Sequence, residues 1–199
     1  MISVGGVHVN YPDLDFEASS YASSFISSFY PGRRVPDLCG LTGKKVNING
    51  GKAPSIMLPV QENANLDGID PSSGSSGDGW GLFSGTSAAC PQIAGICALM
   101  LEKNPSLTPA QIRKKLMDSA RDVTSGTTNT GDSAGTGNDL ATGAGLADAK
   151  WSYLQTMGDV AATFFAASKD QQVSMLESGA MPELSKEFID DLIDTLRSR

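Results

Sequence analysis

Residues 84–91 read Ser-Gly-Thr-Ser-Ala-Ala-Cys-Pro and lead directly into a run of small apolar residues that is typical of a closely packed helix. A serine at the start of a helix lies near backbone N–H groups without a helical partner and near the positive end of the helix dipole. Such groups can stabilise the oxyanion of acyl transfer. Ser87 is therefore the candidate nucleophile, and Gly85 and Thr86 form the turn that presents it. We expect Pro91 in the first helical turn, where a missing N–H costs little.

The same residues also have a purely structural interpretation. Gly-Thr-Ser occurs in many turns, and Ala94, Gly95 and Ala98 would also serve close helix packing without any chemistry. The turn alone does not decide between catalysis and packing, so the interpretation depends on the other segments of the chain.

Three further segments accompany the Ser87 turn in a defined order: MISVGGVHV at residues 1–9, YPGRRVPDLCG at 30–40 and ATGAGLADA at 141–149. With the GTSxxxP stretch, they resemble the subtilisin-like and sedolisin-like serine peptidases, and the second resembles the R-x-P-D segment of the sedolisin branch. The resemblance covers residues 1–155 as the C-terminal part of a catalytic domain. It implies an α/β fold, with a subtilisin-like parallel sheet flanked by helices and N-terminally incomplete, and leaves 156–199 as a helical tail.

The resemblance also implies an activity. Members of this superfamily hydrolyse peptide bonds through an acyl-enzyme, so Ser87 would act as the nucleophile of a serine-type endopeptidase on a peptide or protein substrate. In these families the acid and base residues, and the oxyanion side chain, precede the strand that begins this chain. We therefore expect them to be absent here, and the missing N-terminal half of the domain to be a partner.

The chain has one histidine, His8, which follows the Val-Gly-Gly turn on the wrong side of the pattern to be the family's base. We expect His8 to be a solvated or hydrogen-bonded residue at a strand end, and Glu17 to be a loop charge. General-base assistance contributes about 10²–10⁴-fold, and an unassisted serine hydroxyl is a weak nucleophile. The isolated chain is therefore expected to be nearly inert.

A non-catalytic role is the alternative. The chain would then be a calcium-stabilised structural module, or a degenerate peptidase relative that needs a partner chain. An Asp-His or Glu-Asp pair in upstream sequence would favour the enzyme, and its absence from the gene would favour the module.

A second chemical signal lies in a loop rich in Gly, Ser and Thr. Asp122 and Val123 precede it, and Gly135, Gly137 and Asp139 end it. The sedolisin resemblance implies a calcium ion held by the two carboxylates and by backbone carbonyls. Calcium prefers oxygen ligands, and glycine lets the backbone turn its carbonyls inward. The alternative is a flexible glycine loop in which Asp122 caps a turn.

Composition limits the classes of partner. The net charge of −7, from 22 acidic and 15 basic residues, argues against nucleic acid and anionic membranes. No apolar run is long enough to span a bilayer. Of the three cysteines, Cys90 and Cys97 lie about two helical turns apart, so we expect them to be small buried residues and expect no disulfide framework.

Hydrophobic patterns and turn signals predict the remaining elements. Residues 2–9 form a buried strand, 13–34 a loop, and 46–50 and 55–60 further short strands. Residues 62–79 form a polar loop that either lines a substrate cleft or covers the surface. Thr108 and Gln111 form a capping box, which predicts a helix over 109–120.

Two apolar faces predict two amphipathic helices in the tail, joined around residues 177–181. The first face comprises Leu154, Met157, Ala161 and Phe164, and the second comprises Phe188, Leu192, Ile193 and Leu196. These helices either pack against the domain or bind a partner.

Overall fold

The computed structural model describes residues 1–10, 13–44, 55–65, 67, 77–182 and 184–198, with the side chains of 159–162 left out. The strands are β1 (Val4–Asn10), β2 (Asp15–Ala18), β3 (Phe25–Ile26), β4 (Arg34–Val35), β5 (Leu38–Leu41), β6 (Ile56–Pro59) and β7 (Trp80–Phe83). The helices are α1 (Thr86–Lys103), α2 (Pro109–Asp118), α3 (Ala149–Leu154), α4 (Asp159–Ala166), α5 (Lys169–Glu177) and α6 (Lys186–Ser198).

A three-stranded sheet in the order β2-β1-β5 lies at the centre of the fold. β1 pairs in parallel with β5, as expected for this fold class, and in antiparallel fashion with β2. The prediction of a loop over residues 13–34 is wrong, because β2, β3 and the first residue of β4 lie there. Phe16 and Ala18 turn towards the core from β2, a two-residue alternation that the many serines around it obscure.

Helix α1 packs one face against the sheet. Ile93, Ile96 and Met100 are buried in a cluster with Leu38 of β5 and with residues of α2. The approach is close: a Cβ on Gly40 would lie 2.9 Å from the carbonyl oxygen of Ala89. Only glycine therefore allows α1 to lie this near to β5.

The opposite face of α1 is exposed. A stripe of residues at helical spacing faces away from the sheet, and we call it the α1 stripe: Ser87, Cys90, Ala94, Ala98 and Leu101. Cys90 is exposed and Cys97 is partly buried, so the expectation that both are buried is wrong. That expectation rested on the small size of the cysteine side chain, which suits a buried and an exposed face of a helix equally.

Pro91 does not lie in the first turn of α1, where we expected it. It is the sixth residue of α1 and lies in the second turn. A proline here has no N–H for the carbonyl of the residue four positions earlier, which is Ser87.

The capping box at the start of α2 is present as predicted. Thr108 accepts a hydrogen bond from the N–H of Gln111, and the Gln111 side chain accepts one from the N–H of Thr108. The helix ends at Asp118, two residues before the predicted end. Of the two short strands predicted before residue 60, β6 corresponds to 55–60, while 46–50 lies outside the described residues.

The carboxylate of Asp37, which is 2% exposed, joins distant parts of the chain. It accepts hydrogen bonds from both Arg33 guanidinium NH groups, from Arg113 of α2 at 2.6 Å and from the N–H of Ser3 at 2.8 Å. Burial alone would raise the pKa of Asp37, but these donors more than offset it and hold the pKa well below its ordinary value. Asp37 is therefore ionised throughout the neutral range.

All three cysteines are free, in agreement with the prediction of no disulfide framework. Cys39 of β5 is buried with Val7, Val123 and Leu146. Burial, with a smaller contribution from the charge of Asp139, raises the pKa of the Cys39 thiol to about 12.

The tail has its own hydrophobic core. This core contains Trp151, Leu154, Phe164, Leu176, Met181, Leu192, Ile193 and Leu196. The single helix predicted over 154–164 is two helices, because α3 ends at Leu154 and α4 begins after Gly158, whose φ is 69°. The second predicted face is confirmed in α6, where Leu192, Ile193 and Leu196 are buried.

Helix α3 connects the tail to the rest of the chain. The Oγ atoms of Ser119 and Ser152 lie 2.7 Å apart, and α3 contacts α1. Trp151 and Leu154 lie before residue 155 and still belong to this core. The predicted division of the chain into residues 1–155 and a tail of 156–199 stays a prediction. In the part of the chain that the structure describes, no helix is both long and apolar enough to cross a bilayer.

Replacing Asp37 by Asn is expected to lower the free energy of unfolding by about 2–3 kcal/mol at about pH 7, because two guanidinium groups lose their counter-charge. A carboxyl whose pKa is lowered by folding stabilises the protein above its unfolded pKa of about 4, and this contribution is lost as the pH falls below that value. Urea unfolding from about pH 7 to about pH 3 should therefore show the difference between the two proteins shrinking.

The matched control is Asp118→Asn, which removes an exposed carboxylate paired with Lys114. Its effect should stay below about 1 kcal/mol. An Asp37→Asn protein as stable as the parent at neutral pH would contradict the role assigned to Asp37.

Candidate active site

The candidate nucleophile Ser87 is exposed in the first turn of α1. The turn before it depends on Gly85, whose φ of 140° is strained for any residue with a side chain. The N–H of Gly85 donates to the carbonyl of Thr42 at 2.8 Å, and the N–H of Ala88 donates to the carbonyl of Gly85 at 2.9 Å. Ser87 is therefore held just beyond the carboxyl end of β5, as the predicted turn of Gly85 and Thr86 requires.

The surroundings of Ser87 can supply electrostatic stabilisation. The first N–H groups of a helix have no helical partner and carry its positive partial charge. They are a suitable place for an oxyanion. Within the described residues, no side chain forms a hydrogen bond with Ser87 Oγ.

His8, the single histidine, forms no hydrogen bond with Ser87 Oγ. It is buried in β1 opposite Glu17 of β2, with Nε2 3.4 Å from Glu17 Oε2. Burial, together with the charge of Lys44, lowers the pKa of His8 and outweighs the opposing effect of Glu17. Of the two alternatives expected for His8, solvated or hydrogen-bonded, burial contradicts the first, and Nε2 faces the Glu17 carboxylate. The expectation of Glu17 as a loop charge is wrong, because Glu17 lies in β2.

A contact that sequence reasoning missed joins α1 to the sheet. The side-chain amide of Gln92 accepts from the N–H of Leu41 at 3.1 Å and donates to its carbonyl at 2.9 Å. The pattern of apolar residues carries no signal for this contact, because a half-buried glutamine in a helix has many possible partners.

Hydrogen bonds link four of the five predicted metal ligands in two pairs. Asp122 accepts a hydrogen bond from the N–H of Gly137 at 2.9 Å, and Asp139 accepts one from the N–H of Gly135 at 2.7 Å. The fifth, Val123, is buried in the core beside Asp122 in sequence. Carboxylate and backbone carbonyl oxygens are ligands that calcium accepts.

A calcium ion at this loop would need backbone carbonyl oxygens in addition to the two carboxylates. Among the residues that the structure describes, no three His, Cys, Asp or Glu side chains come together as metal ligands do. Asp139 also accepts from the N–H and the hydroxyl of Thr142, so part of its capacity serves the loop itself.

The polar loop predicted over 62–79 is described only in part, since residues 66 and 68–76 lie outside the described ranges. Asp67 accepts hydrogen bonds from the N–H of Asn63 at 2.5 Å and of Gly79 at 3.2 Å. These contacts join the two ends of the loop. Its role as a cleft wall stays a prediction.

Comparison with solved structures finds proteases. Fervidolysin from Fervidobacterium pennivorans, a keratinolytic enzyme related to subtilisin, matches over 77% of this chain and 19% of its own, with 22% identity and a TM-score of 0.46. The CspB protease of Clostridium perfringens matches over 79% of this chain and 26% of its own, with 20% identity and a TM-score of 0.48.

Comparison with curated sequences finds closer relatives. Subtilisin amylosacchariticus from Bacillus subtilis subsp. amylosacchariticus is 42% identical over 104 residues, which is 52% of this chain and 26% of the relative. Alkaline elastase YaB from Bacillus sp. (strain YaB) is 40% identical over 67 residues, which is 32% of this chain and 18% of the relative. The matched regions therefore span about a quarter or less of these relatives' length.

A family-wide comparison covers most of the chain. The model of the Subtilase family (Peptidase_S8) matches residues 2–145, a range that contains every strand, α1, α2 and the Ser87 turn. The resemblance of residues 30–40 to the sedolisin branch stays a prediction. The chain belongs to the subtilase family.

Proposed function

We propose that this chain carries the nucleophile of a serine-type endopeptidase, and that Ser87 is that nucleophile. The observation that carries the proposal is the position of Ser87, exposed at the start of α1 and held by the hydrogen bond between Gly85 and Thr42. Membership of the subtilase family supports the reaction class.

In the proposed reaction, Ser87 Oγ attacks the carbonyl carbon of the scissile peptide bond and gives up its proton to a general base. The free N–H groups of the first turn of α1 stabilise the oxyanion that forms. The intermediate then expels the amine, which takes up a proton, and leaves an acyl group on Ser87. Water hydrolyses this ester and restores the hydroxyl.

The general base is the part that the described residues do not supply. The single histidine of the sequence is buried against Glu17, and no described side chain forms a hydrogen bond with Ser87 Oγ. General-base assistance contributes about 10²–10⁴-fold. We therefore propose that this chain by itself is a poor hydrolase.

Labelling with a fluorophosphonate tests this proposal, because the probe reacts with activated serines. The 199-residue chain is expected to take the label on Ser87 at least about 100-fold more slowly than an active subtilisin measured beside it. Mass spectrometry locates the label, and Ser87→Ala is the control that should remain unlabelled.

The two other outcomes are informative. Stoichiometric labelling of Ser87 within minutes would show that a base is already present and would overturn the proposed inactivity. A chain that takes no label at Ser87 even after prolonged exposure would favour the non-catalytic structural module.

We also propose that a further segment of a subtilase catalytic domain covers the α1 stripe. The support is the stripe itself, which extends from Ser87 to Leu101 with Leu101 38% exposed. Exposed contiguous apolar residues beside a functional group commonly mark an interaction surface. A domain segment placed there would also lie next to Ser87 and could carry its base.

The isolated chain is therefore expected to self-associate through the α1 stripe. The double change Ala94→Gln and Leu101→Gln should reduce the associated fraction, because it places amides on the apolar surface while keeping good helix formers. Analytical ultracentrifugation over a range of protein concentrations measures the effect.

The matched control places the same amides on another exposed apolar surface. Ile26 and Phe29 are 62% and 88% exposed, and the double change Ile26→Gln and Phe29→Gln should leave association unchanged. A parent chain that is monomeric at every concentration, or that responds only to the control changes, would contradict the proposal.

We propose, finally, that the glycine loop binds calcium through Asp122, Asp139 and the backbone carbonyls of Val123, Gly135 and Gly137. The hydrogen bonds that link Asp122 to Gly137 and Asp139 to Gly135 support the proposal, because they hold two like charges on one loop. An ion between them would remove that repulsion. Magnesium needs tighter octahedral geometry and loses its waters reluctantly, so calcium should be preferred.

Calcium is expected to raise the melting temperature of the chain, and magnesium to do so less. Binding to the folded state alone adds about 2.7 kcal/mol at a hundredfold excess over the dissociation constant. Thermal unfolding in millimolar calcium, in magnesium and in chelator measures the shift. Equal melting in calcium and in chelator would reject the site.

Variants of two aspartates in this loop distinguish calcium binding from the stabilisation that the loop's own hydrogen bonds provide. Asp139→Ala should abolish the calcium shift. Asp132→Ala, which removes a carboxylate bonded to Ser24 and outside the proposed site, should retain it. A shift that survives Asp139→Ala would place the ion elsewhere.

A further inference from the structure

The outer edge of β5 is closed by two different parts of the chain. On its inner side β5 pairs with β1. On its outer side the N–H of Ala144 donates to the carbonyl of Asp37 at 2.9 Å, the N–H of Cys39 donates to Gly145, and the N–H of Ala147 donates to Cys39. Residues 144–147 thus continue the parallel ladder alongside the first part of β5.

The next position of this ladder is occupied by a side chain. At Leu41, where residues 144–147 no longer reach, the amide of Gln92 accepts from the N–H at 3.1 Å and donates to the carbonyl at 2.9 Å. These are the two hydrogen bonds that a neighbouring strand would make with Leu41. The Gln92 amide therefore replaces a peptide group at the end of the sheet.

A third bond returns from Gln92 to its own helix. Nε2 also donates to the carbonyl of Ala88 at 2.9 Å, four residues earlier and next to Ser87. Both amide hydrogens are thus used. Gln92 joins the first turn of α1 to the last residue of β5 through three hydrogen bonds.

We infer that Gln92 is a positioning residue for Ser87: by joining Leu41 to Ala88, its amide sets where the first turn of α1 lies relative to the end of β5. This inference deepens the proposed function and rests on it, because positioning matters only if Ser87 reacts. Among the described residues, a bond from Gly85 to Thr42 also joins the turn to the end of β5, and it is made by backbone atoms alone. Gln92 supplies the side-chain bond between the two.

A positioning role and a merely stabilising role predict different results. If Gln92 only stabilises the fold, its loss should act like any other change of equal cost. If it positions the turn, its loss should act locally, on the amides beside Ser87 and on the reactivity of Ser87. The test therefore compares Gln92→Met with a stability-matched variant elsewhere.

Gln92→Met keeps the length of the side chain and removes its hydrogen bonds. Thr108→Ala is the matched control, because it removes the capping box of α2, whose residues do not contact the Ser87 turn by any hydrogen bond among those described. Hydrogen exchange of the Gly85 and Ala88 amides and the rate of fluorophosphonate labelling at Ser87 are measured for both proteins and the parent, together with their melting temperatures. Gln92→Glu, which keeps the acceptor for Leu41, replaces Gln92→Met if the latter does not fold.

Gln92→Met is expected to speed exchange of the hydrogen-bonded Gly85 and Ala88 amides about tenfold, since the bonds of Gln92 to Leu41 and Ala88 are lost. It should also lower the maximal labelling rate about tenfold with an unchanged half-saturating probe concentration. Thr108→Ala should leave both within about twofold of the parent. Equal exchange in the two variants, or an unchanged labelling rate in Gln92→Met, would overturn the inference.

The outcome for the proposed function is separate. If Ser87 of the parent takes no label, the proposed function fails, and local exchange alone decides whether Gln92 sets the position of the turn. If the parent is labelled and Gln92→Met is labelled equally fast, only the inference about Gln92 fails.

Discussion

The buried carboxylate of Asp37 is the interaction on which most of this structure depends. It receives hydrogen bonds from the segment after β3, from α2 and from the residue before β1, while its own carbonyl receives the N–H of Ala144. Three segments thus meet at one carboxylate, and a fourth binds the backbone of the same residue. A buried charge is costly without partners, so these segments come together at Asp37 or leave it unsatisfied.

Strand β5 connects this ion to the candidate active site. Asp37 immediately precedes the strand, and Thr42, whose carbonyl receives the N–H of Gly85, immediately follows it. Only four residues separate the two. An extended strand paired on both sides is stiff, so the Ser87 turn is built on a short support whose other end is held by the Asp37 ion pairs. Tyr21 also donates its hydroxyl to the carbonyl of Thr42 and adds a further contact at the carboxyl end.

Local signals in the sequence predicted the elements that local interactions form. The capping box of Thr108 and Gln111 predicted α2, and the Gly-Thr-Ser turn predicted the start of α1. The interactions of Glu17 and Gln92 could not be predicted in this way, because each depends on a partner brought near by the fold. Cys90 shows the same limit: its small side chain suits either face of a helix, and only the neighbours of α1 decide its exposure.

In the tail, apolar residues at helical spacing continue across a position where the helix itself is interrupted. Leu154 and Phe164 enter one core, as their spacing predicted, yet the backbone changes direction at Gly158 between them. Trp151 belongs to the same core although it lies before the predicted division of the chain. Side-chain burial in this region therefore does not follow the predicted division at residue 155.

The three free cysteines differ in exposure, so their reactivity towards a thiol reagent reports which part of the structure has opened. Cys90 is exposed on α1, Cys97 is half-buried on the same helix, and Cys39 is enclosed between β1 and residues 144–147. A thiol reagent reaches Cys90 in the native monomer, in which the α1 stripe is uncovered. Cys39 reacts only once the sheet has separated, because burial raises the pKa of its thiol and shields it from the reagent. The order in which the thiols are modified thus distinguishes fraying of the helix surface from opening of the sheet.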